Sequence, residues 1–236
     1  MNFEALIEYI SSTSLIWLIL TIASFQLGII VYEQFNKHTL LQPIIISSAI
    51  VMSALLITGF AYEEYYKHVK IIHFFLGPAT VALALPLFNN LKHVKTLFIP
   101  IMITLIVGGV ASVLIAVGLL WILDANIPTI LSMTTKSITA PIAIITSEQI
   151  GAIPSLAVSF VIITGIIGAL FGTSIFKIIN VKHDISKGFA LGLISHGIGT
   201  GRAVEISEKA AAFSALAMGL SGIFTAILLP IIISIL

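Results

Sequence analysis

Apolar residues run almost unbroken along this chain, and polar residues collect between the runs. No Asp, Glu, Lys or Arg occurs at 9–32, 38–62, 96–123, 149–176 or 210–236. A helix needs roughly 20 apolar residues to cross the hydrocarbon core of a bilayer. Five stretches therefore predict plain spans, at about 12–32, 42–61, 96–122, 153–176 and 210–235. A transmembrane β-barrel would instead alternate apolar and polar positions in segments of about 10 residues. These runs are continuous, so the predicted class is all-α and polytopic.

Three further segments have membrane length but are interrupted. Segment 71–90, IIHFFLGPATVALALPLFNN, contains Gly77-Pro78 and Pro86. Segment 129–147, TILSMTTKSITAPIAIITS, is crowded with hydroxyls and carries Lys136 and Pro141. Segment 186–205, SKGFALGLISHGIGTGRAVE, holds Gly197, Gly199 and Gly201. In a helix interior glycine costs about 1 kcal/mol and proline about 3. Broken backbone persists in a bilayer only where protein buries it or water reaches it. The three segments therefore predict an interior lining, with the plain spans around it.

The order of elements recurs. Two spans, a broken segment and a long span cover 12–122; a polar segment, a span, a broken segment and a long span cover 129–235. This predicts one membrane domain over 1–236, made of two structurally related halves. Each half carries a broken helix, discontinuous or re-entrant, as secondary transporters do. The competing explanation is that proline and glycine kinks are common in membrane helices. Lys67, Lys70, Lys92, Lys95, Lys177, Lys182 and Lys187 all fall on the cytoplasmic side under one threading. It requires an inside N-terminus, with 71–90 returning to its own side and 129–147 not crossing.

Composition agrees with a membrane location. Residues are 58% hydrophobic and 9% charged, whereas a soluble domain has about 25% charged. A net charge of +1 leaves no basic footprint for nucleic acid. The absence of cysteine excludes disulfides and thiolate metal sites. The start, MNFEALIEYISSTSLIWLIL, has Glu4 and Glu8 but no basic residue before its apolar run. It matches neither a cleavable signal nor a transit peptide, so the first run is expected to be a retained helix. The bacterial plasma membrane is the expected location.

Chemistry concentrates in the interrupted segments. Arg202 is the only arginine; its planar, permanently charged fork matches a carboxylate. Backbone N–H groups around Gly197, Gly199 and Gly201, with a helix starting near Thr200, would add anion-binding donors. Alternatively, Arg202 pairs with Glu205, Glu208 or a lipid headgroup at the helix end. Thr134, Thr135, Ser137 and Thr139 surround Lys136, which would make a second anionic contact or a proton-linked switch. Alternatively, Lys136 snorkels and the hydroxyls bond back to their own helix.

His196 is either a proton relay or the maker of a structural hydrogen bond. Glu148 is a coupling carboxylate or a helix end. Thr80, Asn89 and Asn90 are the first half's contributions to a central site. Gly168 with Gly172, and Gly188 with Gly192, form small-residue pairs that predict close helix packing. No metalloprotease, nucleophile-elbow or phosphate-loop motif occurs, so neither an enzyme nor a cofactor is expected.

The stretches TTKSITAPIAIITSEQIGAIPSL at 134–156, GFALGLISHGIGTGRAVE at 188–205 and AFSALAMGLSGIFTAILLP at 212–230 resemble the LrgB family, also called CidB-like or YohK-like. The first half matches through its layout and LGPATVALALPLF at 76–88. The departure is Gly201, where the family pattern leads us to expect alanine. The resemblance implies a membrane protein working with a smaller partner of the LrgA or CidA type. It also implies one of two activities. One is antiholin-like control of murein hydrolases and lysis. The other is transport of small 2-oxo or 2-hydroxy monocarboxylates such as pyruvate, glycolate or glycerate. The plastid relative resembles a glycolate/glycerate translocator. The arginine and the broken backbone favour the transport description, with a homo-oligomer also possible.

Overall fold

The computed structural model describes residues 14–35, 41–82 and 84–235, and among them only helices and their connections occur. The chain forms two compact units, Met1–Ala82 and Leu83–Leu236.

The first unit holds α1 (Ser14–Gln34), α2 (Pro43–Thr58) and α3 (Tyr62–Ala82). Trp17 is the centre of its core, packed with Val51, Tyr65 and Val69 and stacked 4.8 Å from Phe60. Gly28 lets α1 pass the start of α2, because a Cβ there would lie 2.8 Å from the Pro43 carbonyl oxygen. The expected break at Gly77-Pro78 does not occur, since α3 continues through Pro78 to Ala82. A proline deletes one hydrogen bond of a helix and leaves the remaining ladder in place. The predicted span 42–61 is realised as a helix of 16 residues, shorter than the other apolar helices.

The second unit holds α4 (Ala84–Asn89), α5 (Leu91–Thr96), α6 (Phe98–Ile122), α7 (Ile127–Thr134), α8 (Ala140–Gln149), α9 (Pro154–Ile178), α10 (Asp184–Val204) and α11 (Glu208–Ile235). Helices α6, α9 and α11, like α1, are long and apolar enough to cross a membrane. The chain is a multi-pass membrane protein.

Two elements of this unit do not run straight. Segment 135–139 separates α7 from α8. Pro141 does not kink a helix there. It occupies the first turn of α8, where a missing N–H costs nothing because that donor has no intrahelical partner. The other interruption lies inside α10, where His196 has φ 42° and ψ −129°. The helix reverses there. In a straight helix Leu191 and Gly199 would be about 12 Å apart, yet a Cβ on Gly199 would collide with the Leu191 carbonyl. The arms 184–195 and 197–204 rise about 18 and 12 Å, too little for a hydrocarbon core of about 30 Å.

Charge separates the two ends of this unit. Ile101 near the start of α6, Phe189 on the first arm of α10 and Phe213 near the start of α11 share one buried cluster. The end they mark carries Lys92, Lys95, Lys177, Lys182, Lys187, Arg202 and Lys209, with fewer carboxylates, Asp184, Glu205 and Glu208. The opposite end, where α7 follows α6 and α9 follows α8, carries Asp124 and Glu148 and no cation. The two interrupted elements thus enter from opposite ends.

Candidate functional site

The loop between α7 and α8 is buried from Thr134 to Ile138. Its hydroxyls mostly serve the chain itself: Thr134 Oγ1 donates to the Leu131 carbonyl and Thr135 Oγ1 to that of Ser132. Thr139 is the N-cap residue of α8 but makes no side-chain capping bond. Ser132 ties the element to α9, accepting from the Ile153 N–H at 2.9 Å.

Lys136 differs from these. It is 8% exposed, and its ammonium donates to Ser112 Oγ at 2.7 Å and Ser137 Oγ at 3.1 Å. Among the described residues no carboxylate forms a salt bridge with it. It lines a cavity of about 630 Å³ with Ser112, Ala116 and Gly108 of α6, Met133 of α7 and Ile194 of α10. Ser112 was missed by the sequence reading. Its signal is that it is the single hydroxyl of α6 beyond Thr104.

The turn at His196 is closed by packing. Nε2 of His196 donates to the Val161 carbonyl at 2.9 Å. Gly165 makes room for the ring, since a Cβ there would lie 2.8 Å from His196 Cε1. Thr200 Oγ1 donates to the His196 carbonyl at 2.8 Å and lies 3.0 Å from Ser214 Oγ. A Cβ on Gly168 would strike Ser195 Oγ, and one on Gly172 would come 2.9 Å from Leu191 Cδ2. Cβ atoms on Gly188 and Gly192 would strike the α11 backbone at Ala210 and Ser214. Both small-residue pairs therefore serve internal packing. Ser195 Oγ is buried without a hydrogen-bond partner among the described residues.

Three expectations for this segment change. Its second arm starts after His196, one turn before the start expected near Thr200. The non-helical residue is His196; Gly197, Gly199 and Gly201 stay helical and have no positive φ. The glycines therefore form no open nest of donors. Gly199 permits the fold-back, whereas Gly201 faces open space. Arg202 makes an ion pair with Glu205 and donates to Thr173 Oγ1 at 3.4 Å. It lies on the returning arm and does not line the cavity that holds Lys136.

The remaining candidates lie elsewhere. Asn89 Nδ2 donates to Glu208 Oε1 at 3.0 Å, and Asn90 Nδ2 to the Pro86 carbonyl; both brace the cation-rich end. Glu148 is exposed near the end of α8. The side chain of Thr80 lies outside the described residues. The structure thus brings Lys136 and Ser112 together on one cavity, with Ile194 at the threshold of the His196 turn and Ser137 behind the ammonium, off the cavity wall.

These features define a multi-pass helical membrane protein with two interrupted helical elements in its interior. The chain belongs to the LrgB-like family, whose model matches residues 21–235. It is 30% identical over 226 residues to the holin-like protein CidB of Staphylococcus epidermidis, covering 96% of this chain and 97% of that one. It is 29% identical over 213 residues to the antiholin-like protein LrgB of Bacillus cereus, covering 90% and 93%. No solved structure matches the chain.

Proposed function

We propose that this chain is the larger membrane component of a holin/antiholin-like system in a bacterial plasma membrane, acting on murein hydrolase activity and lysis together with a smaller LrgA- or CidA-type protein. The observation that carries this reading is the match, nearly end to end, to relatives named holin-like and antiholin-like. The test is to express the chain with and without such a partner and follow autolysis alongside co-purification in detergent. A detergent-stable complex and a changed autolysis rate support the reading. Unchanged autolysis with no complex contradicts it.

A second reading is passage of small 2-hydroxy or 2-oxo monocarboxylates, with lysis following from altered metabolite flux. Its support is the buried Lys136 ammonium at the edge of an open, mostly apolar groove along α6. Intramembrane cations are costly and mark ligand paths by default. In this reading the two related halves, 12–122 and 129–235, are a transporter repeat, and of the candidate residues Lys136 and Ser137 would hold the anion. The cation-rich end would face the cytoplasm. Saturable glycolate or pyruvate uptake into proteoliposomes, with the partner present, supports this path. Unselective dye leakage contradicts it and favours a pore.

A further inference from the structure

We propose that Lys136, Ser112 and Ser137 form the resident site for a small anion, and that Arg202 ties the returning arm of the folded-back helix to α9 and is not a ligand. The proposal deepens the carboxylate reading and rests on it for the occupant's class; the site's location rests on geometry alone.

A lysine ammonium has three donors and no acceptor. Two of them reach Ser112 and Ser137, and no third acceptor is recorded for Lys136 among the described residues. Hydroxyls orient an ammonium but bring no charge to neutralise it. A buried charge is tolerated when it is paired and hydrogen-bonded. Among the described residues no carboxylate pairs with it, and the cavity adjoins the ammonium. A small anion fills both needs. Ser112 and Ser137 sit beside it as further donors, suited to a carboxylate's second oxygen or a 2-hydroxyl. The cavity's remaining walls near Lys136 are apolar, including Ala116, Ile115 and Met133, so bulky polar occupants are disfavoured.

Arg202 contrasts on every point. Its charge is met by Glu205, and Thr173 of α9 accepts from its other terminal nitrogen. The first contact is local, one helical turn along the same arm; the second ties the returning arm of α10 to α9 where the chain turns toward α11.

The test uses the purified full chain in detergent, with thermal unfolding followed against sodium glycolate and, separately, sodium chloride. Sodium MES, a bulky sulfonate, holds ionic strength constant. A ligand that binds only the folded state raises the unfolding temperature in a saturable way. Wild type is expected to be stabilised by glycolate. Lys136→Met should abolish the response, Ser112→Ala should shift its midpoint about tenfold upward, and Arg202→Met should keep the midpoint while lowering the baseline temperature. If Lys136→Met does not fold, Ser112→Ala carries the test alone.

A wild-type midpoint in both Lys136→Met and Ser112→Ala overturns the site and leaves Lys136 as structural glue between the loop and α6. A folded Arg202→Met that no longer responds moves the anion to Arg202. A response to chloride but not glycolate keeps the anion site and removes the carboxylate reading. No response to either salt in wild type overturns the site.

Discussion

The two interruptions of the second unit begin from the same kind of sequence and end in opposite kinds of structure. Both are polar or glycine-rich stretches set in apolar surroundings, and each has a cation near its break, Lys136 and Arg202. At 135–139 the cation lies inward, held by neutral hydroxyls and facing a cavity. At His196 the turn itself is sealed by backbone packing, and the cation of the returning arm is spent on a glutamate. A charged motif in a membrane segment therefore becomes a candidate site only when its partners do not already satisfy it. Arg202 has Glu205 three residues on, which is one helical turn away; Lys136 has nothing comparable.

The largest expected effect breaks the sealed turn. Gly192→Val pushes a branched side chain into the α11 backbone at Ser214, which cannot move as a rotamer could. Its cost should reach or exceed about 3 kcal/mol, the upper part of the overpacking range. Detergent-solubilised protein should elute largely as aggregate, and a monodisperse variant of wild-type stability would contradict the packing account.

Next comes His196→Ala, which removes the ring packed against Gly165 and the bond to Val161. A loss of about 2–3 kcal/mol is expected from the vacated volume and the abandoned carbonyl, measurable as a lowered unfolding temperature. His196 also has a positive φ that a residue with a Cβ adopts only under constraint. Replacement by glycine should therefore cost less than replacement by alanine. Equal losses would show that the strained turn contributes little.

Arg202→Lys keeps the charge and loses the fork. Because Glu205 is 44% exposed, the expected loss is under about 1 kcal/mol, with the glycolate response unchanged. A full loss of that response would reverse the assignment of the two cations. The smallest effect sharpens the comparison from the other direction. Gly201→Ala meets open space inside a helix and should stabilise by about 0.5–1 kcal/mol, visible as a small rise in unfolding temperature.

Much of this was legible along the chain. Uncharged runs placed the four long helices, because a span needs length and apolarity and little else. The crowding of Thr and Ser around Lys136 marked a real interruption, and the paired glycines marked close helix approach. Other features depend on partners distant in sequence. Ser112 gains meaning only when α6 passes the loop, 24 residues from Lys136. Gly77-Pro78 looks like a break, but a helix outlasts the loss of one hydrogen bond. The glycines around Arg202 suggested open donors, yet Gly199 is required by Leu191 on the other arm. Proximity of that kind follows from the reversal at His196, which no local propensity announces.

The central claim is that two interrupted elements enter from opposite ends of the second unit, one rich in cations and the other without any. The chain lacks cysteine, so single cysteines can be read without background. Asp124→Cys and Glu148→Cys, and separately Lys187→Cys and Lys209→Cys, would be probed in intact cells with a membrane-impermeant maleimide. The first pair should label directly and the second only after permeabilisation. Labelling of both pairs from the same side of the membrane would contradict the account.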